Sequence, residues 1–240
     1  MPVFQVFIND RTSNVFNILF ASLPSERQYY APGVPDSFHC RAFPKASIHF
    51  AYSSCALTWL SEIPKEVLDP LSPAWNKGRI SYYGEKNEVS NAFSAQFAKD
   101  LDSFLKARAE ELVDEGLLTF IHGVEPNANK DTSKITLPSF ELLGSCLVDL
   151  AKKGLFDISK VDSFNLPKYF PFHDELKALV ERNQDFSLER MEILDNPPKR
   201  LTNPDPKSFA MFMRVLIKGL LQNHFGREIM DELLDIWRKS

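Results

Sequence analysis

Residues Ser37 to Ser61 read SFHCRAFPKASIHFAYSSCALTWLS, and the fold is decided there. Ser47 to Tyr52 alternates polar and apolar side chains around β-favouring Ile48 and Phe50, which predicts a strand. Ser53 and Ser54 follow with hydroxyls where a helix starts, so Trp59 falls in the first two turns of that expected helix. A strand running into a helix is where α/β folds hold their ligands, at the carboxyl end of the sheet. Trp59 has a large apolar face and one indole N–H donor. Spacing alone leaves two roles open for it, packing the helix on the sheet or facing a ligand.

Upstream, Pro2 to Ile8 (PVFQVFI) predicts a buried strand ending at the polar turn Asn9-Asp10. An acidic residue at such a strand tip either caps the turn or accepts hydrogen bonds from ribose hydroxyls. Asn14 to Leu23 repeats apolar residues at helical spacing, and Ser22 to Pro35, with three prolines and Gly33, reads as a long loop. Downstream, Pro64 to Lys77 is irregular and Arg79 to Tyr83 is a short strand or cap segment. Asn91 to Glu115 is amphipathic through Phe93, Phe97, Leu101, Phe104, Leu105 and Leu112, with Gly116 as the expected C-cap. Leu117 to Val124 is then a strand, and helix followed by strand repeats the doubly wound α/β pattern.

After a polar loop at Glu125 to Ser133, helices are expected at Leu137 to Lys153, closed by Gly154, and at Asp174 to Arg182. Between them VDSFNLPKYFP (161 to 171) carries two prolines and cannot be continuous helix. Phe186 to Leu194 alternates as a strand, Asn196 to Lys207 is a Pro-rich connection, and Ser208 to His224 and Glu228 to Lys239 read as helices.

The 240 residues are 44% hydrophobic and 25% charged, which suits one globular domain. A formal charge of −4 with scattered basic residues excludes the footprint of a nucleic-acid binder. No apolar run reaches the roughly 20 residues that span a bilayer, and Met1 to Ile8 lacks the form of a signal peptide, so a cytoplasmic protein is expected. Cys40, Cys55 and Cys146 are odd in number without metal-type spacing, which favours reduced thiols. His49, His122 and His173 stand alone and read as structural histidines. No Gly-x-Ser-x-Gly motif marks a hydrolase.

The stretch GVPDSFHCRAFPKASIHFAYSSCALTWLSEIPKE (33 to 66) resembles the core block of the plant SABATH methyltransferases. It holds that family's Gly33, Val34, Pro35, Ser37, Phe38, Arg41, Phe43, Pro44 and the triplet Trp59-Leu60-Ser61. The likeness runs from PVFQVFINDRTSNVFN at the front to VDSFNLPKYFP and the tail. It implies transfer of a methyl group from S-adenosylmethionine to a carboxylate, or in xanthine-type members to a ring nitrogen. The implied fold is an α/β, Rossmann-like methyltransferase sheet with a helical cap. On that basis 1–124 and 186–240 form the cofactor-binding core and 125–185 the cap, a lid over the substrate side.

The same resemblance assigns roles. Asp10 takes the adenosine ribose, with Arg11 beside it where the family usually has Leu, and Ser37 and Phe38 contact the cofactor. Cys55, Thr58 and Trp59 face the substrate; Tyr is common at position 55 and His or Met at position 58, so a roomier pocket and a bulkier acid are expected. Tyr52 stands where His is common and reads as an ordinary strand residue. Asn76, Asp162, Phe164 and Asn165 match positions that bind Mg²⁺ through oxygen, the Phe164 contribution being its carbonyl. A carboxylate is already ionised at neutral pH, so no catalytic base is expected and the protein supplies alignment and dryness.

The family's strand and loop of the form ADLGCSSGPNT, and a preceding segment with a substrate-holding Gln, have no counterpart in the sequence. An N-terminally truncated form, from a shortened product or an incomplete gene model, is therefore expected. Three functions follow as alternatives: a carboxyl methyltransferase of plant secondary metabolism acting on a small acid, a xanthine-type N-methyltransferase, or a non-catalytic remnant that pairs with full-length relatives. The resemblance also implies a homodimer.

Overall fold

Parallel strands, each pair joined through a helix, dominate the first half of the chain, as the alternation of strand and helix patterns predicts. The computed structural model describes residues 4–83, 87–125, 136–194 and 206–233. By contact density the chain divides into a strand-rich unit, Met1–Leu57, Ala98–Gly123 and Ala178–Leu188, and a helical unit, Thr58–Phe97, Val124–Lys177 and Glu189–Ser240. These boundaries differ from those drawn on the sequence, since 58–97 and the C-terminal segment go with the helical unit.

In the strand-rich unit β1 (Phe4–Gln5) and β2 (Ile8–Asp10) lie parallel to β3 (Tyr29–Tyr30) and β4 (Gly33–Pro35) at one constant offset: Phe4 pairs Tyr29 and Ile8 pairs Gly33. The ladder breaks between the two pairs at Pro32, which has no N–H to give, although its carbonyl still accepts from the Ile8 amide at 3.0 Å. The segment expected to be loop, Ser22 to Pro35, thus contributes two strands. The expected single buried strand is instead two short ones with Phe4 64% and Val6 41% exposed, because each sheet here is only two strands wide. Helix α1 (Phe16–Ser22) crosses over between β2 and β4. Gly33 lets it approach closely: a Cβ there would stand 2.8 Å from the Phe16 ring and 2.9 Å from that of Phe20.

Strand β5 (Ile48–Ser54) is where the alternation places it and pairs in parallel with β6 (Leu112–Ile121). The helix expected after Ser53 does not form. Cys55 turns the chain with φ +55°, one 3-10 turn follows at Ala56–Thr58, and Trp59 then bridges antiparallel to Lys168. Helix α2 (Asn87–Glu111) leads directly into β6, so Gly116 is a strand residue and no C-cap. Between the pairs Ile48–Leu112 and Phe50–Leu117 the register shifts at a bulge in which Glu115 has φ +61°.

The helical unit holds α3 (Thr136–Lys152), α4 (Ser159–Asp162), the first turn of α5 (His173–Glu181), whose residues from Ala178 count with the strand-rich unit, and α6 (Pro206–Phe225). Phe140, Leu143, Leu147 and Leu150 form one stripe of α3 and pack with Ile217, Leu221 and Phe225 of α6 around Val161, Phe164 and Leu166. Gly154 ends α3 with φ +83°, while Leu155 N–H returns to the Leu150 carbonyl at 3.1 Å. As its prolines require, 161 to 171 is not continuous helix. Arg79 to Tyr83 is not strand, and neither is Phe186 to Leu194, whose alternation finds no partner strand among the described residues. Most of the loop from Glu125 and of the Pro-rich connection lies outside the described residues, as does the end of the last helix, of which 229–233 are seen.

Candidate functional site

In the strand-rich unit Asp10 ends β2, and Ser37 and Phe38 follow the paired end of β4. Asp10 pairs with Pro35, and the Asp36 amide donates to the Asp10 carbonyl at 3.0 Å, which sets Ser37 close to the end of β2. The Asp10 carboxylate accepts from Arg11 N–H at 2.8 Å and Asn14 Nδ2 at 2.6 Å through its Oδ1, so it closes the turn into α1. Turn-capping and ribose-binding are compatible, since a carboxylate has about four lone-pair sites. Arg11 is exposed in that turn. The Ser37 hydroxyl accepts from the His39 amide at 3.4 Å, and the Phe38 ring lies 4.2 Å from His39 and edge-on to Phe104 at 6.5 Å.

This loop has no regular structure, yet it is firmly held. Arg108, on the last turn of α2, donates from Nη1 to the Phe38 carbonyl at 3.0 Å and from Nη2 to the Cys40 carbonyl at 2.8 Å. Its partner Glu111, 1% exposed, accepts from Arg108 Nε at 2.7 Å and from the amides of Ala42 and Phe43 at 2.5 and 3.0 Å. The last carbonyls of α2 are taken too, by the amides of Ala46 and Ser47 at 2.9 and 2.8 Å. Sequence reading missed this clamp. Its signal was present: Arg108 and Glu111 continue the apolar stripe of Leu101, Phe104 and Leu105, where a charge is costly unless paired. Cys55 is exposed at the end of β5, its amide donating to the Ile121 carbonyl at 2.8 Å.

In the helical unit Thr58 and Trp59 form a short antiparallel contact with the segment after α4. Leu60 N–H donates to the Pro167 carbonyl at 2.8 Å and Tyr169 N–H to that of Thr58 at 2.9 Å. Thr58 is buried; Trp59 is half-buried, packed on the core with the Lys168 ammonium 4.3 Å from its ring centroid. In the same unit Tyr82 donates to Glu125 Oε1 at 2.6 Å and Tyr169 to Glu175 at 3.0 Å, with Ser94 also on Glu175 at 2.6 Å. Burial, together with these acidic partners, pushes both phenol pKa values up, so they stay protonated as donors. Burial likewise raises the Glu125 carboxyl above the ordinary range, the Glu175 charge adding to it against the lowering effect of the Tyr82 hydroxyl.

The oxygen-rich set also lies within this unit. Asn76 Nδ2 donates to Asn165 Oδ1 at 2.6 Å and to the Ser81 carbonyl at 2.9 Å, and Asp162 Oδ1 accepts from Gly78 N–H at 2.8 Å. The buried Asn165 Nδ2 has no hydrogen-bond partner. No group of three or more His, Cys, Asp or Glu able to hold a metal occurs among the described residues. The set differs in kind, with one carboxylate, two amides and the Phe164 carbonyl. Among the described residues no helix is long and apolar enough to cross a membrane.

Comparison with known proteins gives the family. A family profile described as SAM dependent carboxyl methyltransferase matches residues 1–240. Loganic acid O-methyltransferase of Catharanthus roseus is 43% identical over 240 residues, covering 100% of this chain and 64% of the relative. Farnesoic acid carboxyl-O-methyltransferase of Arabidopsis thaliana is 38% identical over 99% of this chain and 68% of its own. A 3,7-dimethylxanthine N-methyltransferase of Camellia sinensis var. assamica is 36% identical over 98% of this chain and 66% of its own. A solved structure titled loganic acid methyltransferase with SAH superposes at a TM-score of 0.91 with 43% identity, covering 100% of this chain and 68% of that one. The chain thus spans about two thirds of the length of these relatives.

Proposed function

The chain belongs to the family of SAM-dependent carboxyl methyltransferases and has their α/β fold, and we propose that it serves methyl transfer from S-adenosylmethionine to the carboxylate of a small plant metabolite. The observation that supports this reading is the loop after β4, which the Asp36 amide ties to the end of β2 at Asp10 and whose backbone from Phe38 to Phe43 the Arg108–Glu111 pair holds. Asp10 would take the ribose hydroxyls, Ser37 a polar edge and Phe38 the flat purine face, with Arg11 flanking. Cys55, Thr58 and Trp59 would face the substrate, the indole N–H donating to its carboxylate.

In the reaction a carboxylate oxygen attacks the sulfonium methyl carbon. The C–S bond breaks with its electron pair left on sulfur, giving S-adenosylhomocysteine and a methyl ester. No proton moves, so no residue is needed as base; alignment and exclusion of water are the protein's contribution. The loganic and farnesoic acid enzymes among the relatives favour a terpenoid-type acid. The N-methyltransferase relative supports a second reading, a ring nitrogen of a xanthine.

Asn76, Asp162, the Phe164 carbonyl and Asn165 suit Mg²⁺ in donor type and would hold it through oxygen. The Asn165 oxygen retains a lone pair beyond the one Asn76 occupies. A bound Mg²⁺ would brace this part of the helical unit. A homodimer completes the reading, and light scattering on the purified chain tests it.

Calorimetric titration of the 240-residue chain with S-adenosylhomocysteine is the decisive experiment. Micromolar affinity is expected and would exclude a remnant that no longer binds cofactor; absence of binding overturns the proposal. Product analysis with loganic acid, farnesoic acid and xanthines then separates the two substrate classes.

A further inference from the structure

Lys168 is 8% exposed, in the otherwise apolar run Leu166-Pro167-Lys168-Tyr169-Phe170, and three rings lie near its ammonium. Nζ stands 4.3 Å from the Trp59 centroid, 5.4 Å from that of Phe170 and 5.9 Å from that of Phe140. The geometry is set by the backbone. Trp59 and Lys168 are directly opposed in an antiparallel bridge, with hydrogen bonds from Leu60 to Pro167 and from Tyr169 to Thr58 on either side, so both side chains rise from one face.

A cation on the face of an indole is attracted by the ring's negative quadrupole. The same contact draws π-density away from the ring edge, which makes Nε1–H a stronger hydrogen-bond donor. The ammonium also adds a positive field at that edge, in surroundings drier than water, where charges act over longer range. Both effects favour an anion at the indole N–H and do little for a neutral group. Because the charge lies on the ring face, an acid held at the N–H edge can respond to it without being neutralised by direct contact, which would blunt the attacking oxygen.

We propose that Lys168 is a positioning residue that sets substrate class: through the Trp59 indole it selects a carboxylate over a neutral amide or ring nitrogen. This rests on the reading of Trp59 as the substrate donor, and it deepens that reading by choosing the acid over the xanthine class. Lys168 acts on binding more than on the transfer step, since the attraction is present before the methyl group moves.

The test is calorimetry on the wild-type chain, Lys168→Met, Lys168→Gln and Lys168→Arg. Each is titrated first with S-adenosylhomocysteine and then, saturated with it, with loganic and farnesoic acids and their primary amides. The wild type should prefer acid to amide, and both neutral variants should lose about tenfold to a hundredfold of that preference, as expected for removing one charge a few ångströms away. Lys168→Arg should keep it, which a purely structural lysine would not require. S-Adenosylhomocysteine binding should be unchanged in all four and serves as the check on folding, with the glutamine variant standing in should the methionine variant fail it. A wild type that binds acids no better than amides, or neutral variants with an unchanged preference, overturns the proposal while leaving the methyltransferase reading intact. Failure of the wild type to bind S-adenosylhomocysteine overturns that reading, and the proposal with it.

Discussion

If Arg108 and Glu111 act as a clamp on the loop from Phe38 to Phe43, replacing both by apolar residues should not restore stability. The pair makes six hydrogen bonds, two within itself and four to backbone: the carbonyls of Phe38 and Cys40 and the amides of Ala42 and Phe43. Glu111→Ala leaves a buried guanidinium without its anion and should cost about 3–5 kcal/mol, as should Arg108→Ala for the carboxylate. An isolated buried ion pair exchanged for well-packed apolar groups is commonly neutral or stabilised by about 1–4 kcal/mol. Arg108→Met with Glu111→Met, where bulky flexible side chains make the exchange itself close to neutral, should instead stay about 2–4 kcal/mol below the wild type. It orphans four half-buried or exposed backbone groups, each worth about 0.5–1 kcal/mol once water can reach them. Urea denaturation measures the difference, and hydrogen exchange at the amides of Ala42 and Phe43 locates it. A double variant as stable as the wild type would refute the clamp.

Three further outcomes are expected. Glu125 holds its proton above its ordinary value of about 4.5, so from that pH upward the folded chain binds more protons than the unfolded one and stability falls as pH rises. Glu125→Gln, which still accepts from Tyr82, should flatten the fall of the thermal midpoint as pH rises above about 4.5, and parallel profiles would count against this. Gly33→Ala should lower stability by about 1–3 kcal/mol, because its Cβ would press on Phe16 and Phe20 within 2.9 Å, and Phe16→Leu should recover part of the loss. Millimolar Mg²⁺ should raise the thermal midpoint of the wild type and not of Asp162→Asn, whose amide oxygen can still accept from Gly78; equal shifts in both would exclude Asp162 as a ligand.

The sequence was legible where one element answers one pattern. The alternation at Ser47 to Tyr52 and the stripe of α3 need only a strand and a helix, and both are present. Gly116 misleads because glycine after an amphipathic run fits two causes. It resembles a helix cap, yet it sits in the bulge of β6, where a Cβ would stand 2.8 Å from the Val113 carbonyl. Phe186 to Leu194 misleads otherwise: alternation describes a strand's two faces and says nothing about whether a partner strand lies beside it. Lys168 was visible as one charge in an apolar run, but its ring neighbours come from positions 59, 140 and 170, which only the fold brings together.

The clamp bears on how the proposed cofactor site would work. Hydrogen bonds with fixed donor and acceptor directions hold the loop from Phe38 to Phe43, where apolar packing alone would leave it free to slide. They come from the last turn of α2, whose final carbonyls are taken by Ala46 and Ser47, so the loop's shape is set by the helix end before any ligand arrives. A site fixed in advance loses little conformational freedom on binding. Glu111→Gln separates holding the loop from holding the fold, because its amide oxygen still accepts from Ala42 and Phe43 while its bond with the guanidinium weakens. Folded Glu111→Gln should bind S-adenosylhomocysteine several-fold more weakly, with a more unfavourable binding entropy and faster exchange at Phe38 to Phe43. Unchanged affinity and entropy in a variant with a loosened loop would mean that the loop is not part of the cofactor site.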